Sequence, residues 1–522
     1  MKKNLIFFIL IFPFFLFSLI DTLFVLNTTD IHGQIFPYDY YLDEPADYGL
    51  AKIHTLVKKY RRSHPDIILL DSGDLFEGSF FDHKYLAENP DIIHPYIKAF
   101  NMMGYDAFTP GNHDIETGRE IYGTGRDESG FPWLAANSVI TPWQTYFLPY
   151  FIKEINNIKV GILGISTPSL KRLKQDDKPE ICWMDIETTL EEFLPELRSQ
   201  VDILIGSFHF GLEELEALPD FANQFDVMFG GHIHSTIPAI NDTIITTSEP
   251  VQIISGNHAK SLGVVKLVFQ KTDDTFQIIE KSAWNENIKN EVPAPEFQVF
   301  QDYHQEKIEF MNQTVGIIQD TLTTVYSRRQ DSAVLEMINH AQMQFADCDI
   351  SFTSCFDASL VFAPGIINYK DILSLYKYKN KLCVVELTGK QIKQYLEYCT
   401  NYFLWQDDQI QINPEMKGYN YDVAEGLNYE IDVSKPVGKR IIKLQLTAND
   451  KDLVPEKKYK VAMNNYRASG GGGHLKNIGA DQNNIISTSE KTIPEILLEY
   501  VSNKNIIENE VDSNWSILQY SK

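Results

Sequence analysis

The sequence predicts an α/β protein of two domains, and three observations support this expectation. Its 522 residues exceed the size of one ordinary domain. From Leu23 to Ile279, short apolar runs such as TLFVL, DIILL and VDILIGS alternate with amphipathic stretches such as TTLEEFLPELRSQ. This alternation indicates a buried sheet covered by helices. The polar, Pro-containing stretch NENIKNEVPAPE then interrupts the pattern, as a linker does.

The first 20 residues, MKKNLIFFILIFPFFLFSLI, have a short basic start followed by an almost unbroken apolar run. This pattern predicts a signal peptide, and therefore an exported protein that is periplasmic or secreted. An uncleaved N-terminal anchor is the alternative, although Pro13 within the run disfavours a plain membrane-spanning helix. No later segment of the sequence is long and apolar enough to span a bilayer.

Three regions are expected after the signal. A catalytic domain is predicted over residues 21–284, a linker with a connecting helix over 285–314, and a second domain over 315–522. The connecting helix is predicted from Glu296 to about Met311. Strands of the second domain are expected in CVVELTG, RIIKLQL and KKYKVAMN.

The chain is strongly acidic, with a formal net charge of −25 and an isoelectric point near 4.9. Such a surface repels polyanions, so we expect no nucleic-acid polymer as a partner. A small anionic substrate would need local positive charge, and bound metal ions are its simplest source. The sequence carries no signal for the oligomeric state.

Cysteine is rare, and no C-x-x-C pair is present. The five residues are Cys182, Cys348, Cys355, Cys383 and Cys399. An odd number leaves at least one thiol free, and one disulfide in the C-terminal half is conceivable. Buried structural thiols are the interpretation that we favour.

Polar residues follow several predicted strands of the first domain. They stand in TTDIHG, DSGDLFEG, PGNHD and GGHIH, and one further His follows VDILIGSF. Taken singly, such a residue is more often structural. In an open α/β sheet, however, the carboxyl ends of the strands form one binding edge. We therefore expect these loops to converge on a metal site with seven ligands: Asp30, His32, Asp74, Asn112, His209, His232 and His234.

The ligand types predict two divalent metal ions as cofactors. Mixed oxygen and nitrogen ligands without thiolate suit Zn, Mn, Fe or Co better than Ca or Mg. Two ions about 3.5–4 Å apart can clamp a phosphoryl group and activate water near neutral pH. Asp74 is the candidate for a bridging carboxylate. The other ligands divide between a first ion (Asp30, His32, His234) and a second ion (Asn112, His209, His232).

These motifs, D-x-H, G-D-x-x-x-G, G-N-H-D, a separate His and G-G-H-x-H, resemble the signature of calcineurin-like metallophosphoesterases. The chain is similar to the exported branch that adds a C-terminal α/β nucleotide-recognition domain. The resemblance implies a four-layer α/β/β/α sandwich and the dinuclear site described above. His258, in SGNHAKSLG, receives no role from the motifs.

The resemblance also implies that His113 is catalytic without being a metal ligand. An imidazolium beside the ions can stabilise the transferring phosphoryl group and protonate the leaving oxygen. A role limited to orienting Asn112 is the alternative. A carboxylate supports this histidine in the family, and both Asp114 and Glu116 qualify here. The exported 5′-nucleotidases favour the position of Glu116, but with Asp. GNHD in place of the frequent GNHE is a mild departure.

Two tyrosines of the second domain are candidates for binding a nucleobase. Tyr421 stands in GYNYDVAEG, and Tyr466 precedes a run of four glycines in NNYRASGGGG. Two loop tyrosines could hold a flat heterocycle, since base–aromatic stacking gives about 1–3 kcal/mol per base. The alternative is that both are core-edge residues. The run of four glycines is longer than the pair that is usual in the exported enzymes, so the loop after Tyr466 is expected to contact the edge of the base differently.

These segments resemble the periplasmic 2′,3′-cyclic-nucleotide 2′-phosphodiesterase/3′-nucleotidases, in which tyrosines at these two positions hold the base. The exported 5′-nucleotidases carry an N-x-G-G-x-R stretch, whereas this chain has TSCFDASLVFAPGII. We therefore expect hydrolysis of 2′,3′-cyclic nucleotides to 3′-nucleotides and then to nucleosides. The alternatives are a 5′-nucleotidase or nucleotide-sugar hydrolase, a thiosulfate-ester hydrolase, and an inactive nucleotide-binding surface protein.

Overall fold

A computed structural model describes residues 19–76, 80–89, 92–141, 144–172, 179–271, 276–378 and 380–520. The predicted signal therefore lies, up to residue 18, outside the described residues. Within the described ranges, no helix combines the length and apolarity needed to cross a membrane. The chain divides into two compact units, residues 1–39 with 43–307 and residues 40–42 with 308–522. The predicted linker at 285–314 spans this division.

The first unit is built on two six-stranded sheets. In order across the first sheet, the strands are Thr243–Thr246, Phe276–Asn287, Ser261–Lys271, Leu19–Thr28, Ile68–Asp71 and Ala107–Phe108. In order across the second sheet, they are Thr236–Ile237, Val251–Ser255, Val227–Gly230, Ile203–Phe208, Ile158–Ile165 and Tyr150–Ile155. The strands in the middle of the second sheet are parallel, as are the last three of the first.

One apolar core lies between the two sheets. Val25 and Leu70 of the first sheet and Ile162 and Ile205 of the second belong to it, and all four are 0% exposed. Burial of an aliphatic side chain contributes about 1.5–3 kcal/mol. Strands buried on both faces need near-continuous apolar sequence, which is the pattern seen in DIILL and VDILIGS.

Helices cover the outer faces of both sheets. Leu190, Leu194 and Leu197 of the helix Ile186–Gln200 are buried in the core on the outer face of the second sheet. Their spacing of four and three residues places them on one helical face. The helix Leu50–Ser63 packs on the first sheet, where Tyr60 meets Phe24 at 5.3 Å between ring centroids. The predicted four-layer α/β/β/α sandwich is thereby confirmed.

The other helices of the first unit are Phe80–Glu88, Pro95–Met103, Asn112–Glu116, Arg119–Glu128 and Pro219–Ala222. Its short strands are Tyr38–Asp39, Glu44–Pro45, Ser138–Thr141, Gln144–Thr145 and Cys182–Trp183. The connecting helix, predicted from Glu296, is a 3₁₀ turn over Pro295–Phe300 followed by an α-helix over Gln301–Met311.

The second unit is also α/β. Its five-stranded sheet has the order Asp422–Glu425, Ile350–Ser354, Lys458–Asn464, Lys381–Thr388 and Ile485–Thr492. Its helices are Ala333–Ala346, Tyr369–Leu375, Gly389–Cys399, Asn465–Ala468, His474–Asn477 and Ile493–Lys504. Shorter strands flank them at Thr314–Ile318, Leu322–Thr323, Val361–Phe362, Gly365–Asn368, Phe403–Gln406, Gln409–Ile412, Leu427–Ile431, Ile441–Leu446, Ile506–Ile507 and Trp515–Ile517.

All five cysteines are free thiols. Four of them are buried, namely Cys348, Cys355, Cys383 and Cys399, whereas Cys182 is exposed. The favoured interpretation of buried structural thiols therefore holds for the four cysteines of the second unit.

Candidate metal centre

The residues predicted as metal ligands follow the carboxyl ends of strands in both sheets of the first unit. Asp30 lies just after the strand Leu19–Thr28, and Asp74 lies just after Ile68–Asp71. In the second sheet, His209 directly follows the strand that ends at Phe208. Because these central strands are parallel, their carboxyl ends lie at one edge, and ligands that are distant in sequence meet there.

The first group of candidate ligands consists of Asp30, His32 and His234. The Nε2 atoms of the two histidines are 3.0 Å apart, and His234 Nε2 lies 3.3 Å from Asp30 Oδ1. His32 Nε2 is 3.9 Å from the same carboxylate oxygen. Two ligand atoms that each lie about 2.0–2.2 Å from the same metal ion are separated from each other by distances like these three. These are the three ligands assigned to the first ion from the sequence.

The second group consists of Asp74, His209 and His232. His209 Nε2 lies 3.0 Å from Asp74 Oδ2, and the rings of the two histidines have centroids 5.3 Å apart. Asn112, the remaining predicted ligand, is the first residue of the short helix Asn112–Glu116. His113, its neighbour, donates its backbone N–H to Asp74 Oδ1 at 2.9 Å. The segment that carries Asn112 therefore lies against the second group.

Several buried polar atoms of this site fit a bound cation. Asp74 Oδ2, Asn112 Oδ1 and His209 Nε2 are enclosed; Asp74 Oδ2 and His209 Nε2 face each other at 3.0 Å, and none of the three makes another hydrogen bond within the described structure. His209 Nδ1 lies 2.7 Å from the carbonyl oxygen of Ser72 and donates its proton there, which leaves a lone pair on Nε2. A buried acceptor without a donor costs about 1–3 kcal/mol. A divalent cation would remove this cost for Asn112 Oδ1 and would also bind Asp74 Oδ2 and His209 Nε2.

The backbone at these ligands is strained. Asp30, His32, Asp74, His232 and His234 have φ values of 51°, 48°, 56°, 70° and 56°. Side chains with a Cβ rarely adopt this left-handed region, and each such residue costs about 1–3 kcal/mol. Five strained residues in one cluster indicate that the fold holds these side chains for a function rather than for stability.

Electrostatics keep the carboxylates of the site ionised. Burial raises the pKa of Asp30 and Asp74, but the surrounding imidazoles more than offset it, so the pKa of each carboxyl lies below its ordinary value. Burial lowers the pKa of His209, but Asp74 raises it by more, to about 9. The carboxylates are therefore ready to bind a cation, which would displace the proton shared with His209.

Each of the two units contains a segment that matches a known protein family. Residues 25–236 match the calcineurin-like phosphoesterase family, and residues 313–477 match the 5′-nucleotidase C-terminal domain. The chain is a calcineurin-like phosphoesterase with a 5′-nucleotidase C-terminal domain. This finding confirms the resemblance inferred from the strand-end motifs and identifies the chain as a phosphoester hydrolase.

Named relatives of this metallophosphoesterase are nucleotide phosphoesterases. It is 27% identical over 95% of its length to the trifunctional nucleotide phosphoesterase protein YfkN of Bacillus subtilis, of which it spans only 39%. It is 25% identical to a 2′,3′-cyclic-nucleotide 2′-phosphodiesterase/3′-nucleotidase of Yersinia enterocolitica, with 94% of this chain and 87% of that protein aligned. The fold resembles that of a candidate 5′-nucleotidase of Staphylococcus aureus crystallised with α-ketoglutarate. The TM-score is 0.81, the identity is 21%, and 95% of this chain and 100% of that chain are covered.

His113 of the metallophosphoesterase lies beside the ligand groups with a partly exposed ring. Its ring centroid is 5.5 Å from that of His32, and its side chain is 37% exposed. His113 Nδ1 lies 3.3 Å from the carboxylate of Glu116, whose side chain is 47% exposed. Of the two carboxylates considered from the sequence, the structure therefore brings Glu116 to the imidazole.

Asp114 has a different role from the one considered for it. Its carboxylate is buried and accepts three backbone N–H groups, from Asp74 and Gly111 on Oδ2 and from Phe76 on Oδ1, at 2.7–2.8 Å. Burial, with a further contribution from Asp74, raises the pKa of Asp114 to about 7. Both carboxylate oxygens are thus used to join the loop of Asp74 to the loop of Asn112. Asp114 positions ligands and does not serve as the support of His113.

His258 is a neighbour of the site that the motifs left without a role. Its ring centroid lies 5.3 Å from that of His32 and 6.5 Å from that of His234. Its backbone N–H donates to the carbonyl oxygen of Asp30 at 2.7 Å, and its φ of 52° is left-handed. The sequence signal was its place just after the strand Val251–Ser255, at the same edge as the ligands.

Gly111 offers a test of how closely the ligand loops approach each other. A Cβ at this position would lie 2.1 Å from Asp74 Oδ1 and 2.6 Å from His209 Nε2. We expect Gly111→Ala to displace both ligands and to lower kcat about a hundredfold, since a shift of about 1 Å costs that much. Hydrolysis of bis-p-nitrophenyl phosphate and metal content per chain are the measurements.

Gly123→Ala is the matched control. Its added Cβ would meet nothing closer than 3.7 Å, and the residue lies inside the helix Arg119–Glu128. Alanine is the better helix former, so we expect unchanged activity and equal or higher stability. Wild-type activity and metal content in Gly111→Ala would contradict the close packing of these loops.

In the second unit, the ring of Tyr421 is buried and not accessible to a ligand. Tyr421 is 2% exposed and stacks on Tyr402, with centroids 5.0 Å apart and planes at 19°. Phe403 contacts the same ring edge-on at 5.2 Å. The predicted role of Tyr421 as a base-stacking residue is therefore wrong, because neighbouring aromatic rings enclose it in the core.

Tyr466 and Tyr419 are the exposed tyrosines of these two loops. Tyr466 is 49% exposed, and its ring lies over Gly471, where a Cβ would be 2.5 Å from the ring. Tyr419, two positions before Tyr421, is 42% exposed. The sequence interpretation missed Tyr419, although its place in the segment Gly418–Asn420, before the buried strand Asp422–Glu425, was a signal for exposure.

A buried ion pair joins the two tyrosine loops. Arg467 donates from Nε and Nη2 to the two carboxylate oxygens of Asp422, at 2.9 Å each. It also donates to the carbonyl oxygens of Tyr419 at 2.8 Å and Gly471 at 3.2 Å. Both charged side chains are almost completely buried, at 2% and 4% exposure. Arg467 thus fixes the backbone on which both exposed tyrosines stand.

Proposed function

We propose that this chain is an exported, dinuclear-metal phosphoesterase that hydrolyses 2′,3′-cyclic nucleotides to 3′-nucleotides and then to nucleosides. The observation that carries the proposal is the pair of ligand groups at one sheet edge: Asp30, His32 and His234, and Asp74, His209 and His232. Similarity to the Yersinia enzyme over 94% of the chain supports the substrate class. The signal-like first 20 residues support export.

Seven side chains would hold the two ions. Asp74 would contribute to both ions, and the other six would divide between them as the sequence predicts: Asp30, His32 and His234 for the first, Asn112, His209 and His232 for the second. The mixture of oxygen and imidazole nitrogen favours Zn, Mn, Fe or Co. When bound, such ions supply Lewis-acid stabilisation of the phosphoryl group and lower the pKa of water.

His113 is the proposed general acid. Its ring is partly exposed beside the ligand groups, so it can reach a substrate oxygen. Glu116, 3.3 Å from Nδ1, can orient the ring as a hydrogen-bond acceptor and leave Nε2 to carry the proton that is transferred. Transfer of that proton to the departing ribose oxygen would contribute about 10²–10⁴-fold to the rate. Asp114 contributes indirectly by fixing the backbone of the ligand loops.

The nucleobase is proposed to stack on Tyr466, with Tyr419 as the second exposed ring. Each ring is about half exposed, and stacking gives about 1–3 kcal/mol per base. The backbone next to the ring of Tyr466 is glycine, and a Cβ at Gly471 would lie 2.5 Å from that ring. We assign base stacking to Tyr419 and not to Tyr421, because Tyr421 is buried.

A 5′-nucleotidase is the second candidate, because residues 313–477 match the 5′-nucleotidase C-terminal domain. Assays with 2′,3′-cyclic AMP, 3′-AMP and 5′-AMP under equal metal loading separate the two. We expect kcat/KM to be highest for the cyclic nucleotide and at least about tenfold lower for 5′-AMP, a difference of about 1.4 kcal/mol in transition-state binding. A preference for 5′-AMP would overturn the cyclic phosphodiesterase proposal.

Tyr466→Ala tests the base-binding part of the proposal. We expect KM for 2′,3′-cyclic AMP to rise about 5- to 100-fold with kcat nearly unchanged, because stacking binds ground state and transition state alike. Tyr466→Phe keeps the ring and is the control, with a KM near that of the wild type. A generic phosphodiester without a base should show no change in either variant. Equal KM values in Tyr466→Ala and wild type would remove Tyr466 from the base site.

A further inference from the structure

Four carboxylates of the second unit gather outside the metal centre of the first unit. One oxygen each of Asp331, Glu336 and Asp512 lie within 4.8 Å of one another. Glu425 adjoins them, since Asp512 and Asp331 both act on its carboxyl group electrostatically. They come from a loop, the helix Ala333–Ala346, the strand Asp422–Glu425 and the segment before Trp515, so the tertiary structure alone brings them together.

These carboxylates lie together without a cationic side chain. Glu336 and Glu425 are buried, at 7% and 3% exposure, whereas Asp331 is half-buried and Asp512 is exposed. In the described part of the chain, no Lys or Arg forms an ion pair with any of the four. The imidazole of His340 lies 4.0 Å from Glu425, and burial lowers the pKa of His340. Buried carboxylates without a compensating charge cost several kcal/mol each.

Asn514 adds an independent indication of a ligand. This residue is 6% exposed and lies among the carboxylates: its backbone N–H donates to Asp512 Oδ1 at 3.0 Å and its Nδ2 donates to Glu425 Oε1 at 2.8 Å. Its amide oxygen, Oδ1, is buried and accepts no hydrogen bond within the described structure. An amide oxygen enclosed beside carboxylates suits a hard cation.

We propose that Asp331, Glu336 and Asp512, with the amide oxygen of Asn514, bind a Ca²⁺ ion. Ca²⁺ takes oxygen ligands at about 2.3–2.6 Å, so two oxygens on one ion lie at most about 5 Å apart, as these do. Carboxylates that bind with both oxygens, together with water, complete the usual six to eight ligands. The absence of imidazole and thiolate from the set disfavours Zn, in contrast to the histidine-rich centre of the first unit.

The ion would join the segment before Trp515 to the start of the helix Ala333–Ala346. The backbone N–H of Asp512 donates to Glu336 Oε1 at 2.8 Å and already joins these two segments. Burial and the neighbouring carboxylates raise the pKa of Glu336 to about 8 and that of Glu425 to about 8, as expected where the charge is not compensated. By joining these two segments, Ca²⁺ would stabilise the second unit.

Calorimetric titration of the metal-free full-length chain with Ca²⁺ at pH 7.5 tests the proposal. We expect the wild type to bind one more Ca²⁺ per chain than Asp331→Asn/Asp512→Asn, and its Tm to rise by several degrees in Ca²⁺ while that of the variant does not. Asp407→Asn/Asp408→Asn, which removes two exposed charges from a hairpin turn of the same unit, is the matched control and should behave as the wild type. Asp512→Asn alone serves if the double variant fails to fold.

Tb³⁺ luminescence gives a local readout. Trp515 directly follows Asn514, so it should sensitise Tb³⁺ bound at this site, and Trp515→Phe should lose that emission while retaining the Ca²⁺ heat. Equal Ca²⁺ stoichiometry in the wild type and Asp331→Asn/Asp512→Asn, or no Trp515-dependent Tb³⁺ emission, would overturn the proposal. These outcomes are independent of phosphoester hydrolysis, which takes its metal ligands from the other unit.

Discussion

Replacing Asp74 by asparagine is expected to abolish phosphoester hydrolysis, with kcat lower by roughly a thousandfold or more. Removal of one preorganised electrostatic group already costs about 10²–10³ in rate. Asp74 has a larger task in the proposed centre, because its carboxylate contacts His209 at 3.0 Å on one oxygen and accepts the N–H of His113 on the other. Asparagine keeps the shape but removes the charge that holds two cations together.

Metal analysis distinguishes this explanation from a folding defect. We expect about two ions per chain in the wild type and at most one in Asp74→Asn, with an unchanged circular dichroism spectrum. Asp242→Asn, an exposed residue of the same unit, is the matched control and should keep both activity and metal. Full activity in Asp74→Asn would contradict the two-metal assignment. Fewer than one ion in the active wild type would contradict it as well.

Replacing Arg467 by methionine is expected to destabilise the second unit by about 3–5 kcal/mol. Loss of one partner of a buried ion pair leaves the other charge unpaired, and that is the origin of the cost. Asp422, 4% exposed, would keep only the hydrogen bond that Tyr395 donates at 2.5 Å. For a unit of this size, we expect Tm to fall by about 10 °C in differential scanning calorimetry.

The double variant Arg467→Met/Asp422→Asn shows whether the unpaired charge is the cause. It should recover a large part of the stability lost in Arg467→Met, because no buried ionised carboxylate remains. Lys443→Met is the control: this lysine pairs with Glu430 at 3.9 Å on the surface, where such a pair contributes about 0–1 kcal/mol. No loss of Tm in Arg467→Met would contradict the role of the pair.

Arg467→Met should also raise KM for nucleotides at temperatures where the chain remains folded. Arg467 donates to the carbonyl oxygens of Tyr419 and Gly471, and so fixes the two backbone segments that carry the exposed tyrosines. The increase should vanish for a phosphodiester without a base. A merely structural role would lower Tm without this dependence on the substrate.

The candidate metal ligands could be selected from the sequence because each lies next to a strong local pattern. Asp30, Asp74 and His209 directly follow runs of buried aliphatic residues, whose composition indicates strands of a sheet that is covered on both faces. Parallel strands bring their carboxyl ends to one edge whatever their distance in sequence. The convergence of the ligands therefore followed from chemistry and topology together.

The roles of individual side chains beside the ligands could not be found in this way. Asp114 and Glu116 are two residues apart in one short helix, and both could have supported His113. The choice depends on the loop of Asp74, whose backbone N–H groups donate hydrogen bonds to the carboxylate of Asp114. The acidic cluster of the second unit was equally invisible, since Asp331 and Asp512 are far apart in the chain and belong to no motif.

The sequence by itself determined that this chain is an α/β phosphoesterase with candidate histidine and carboxylate ligands just after its strands. That much depends on local composition and strand order, which are properties of neighbours in the chain. Only the tertiary structure decided that Tyr421 is buried under Tyr402 and that Tyr419 and Tyr466 are exposed. The physical reason is that the exposure of a side chain depends on what packs against it, and those neighbours come from distant parts of the sequence.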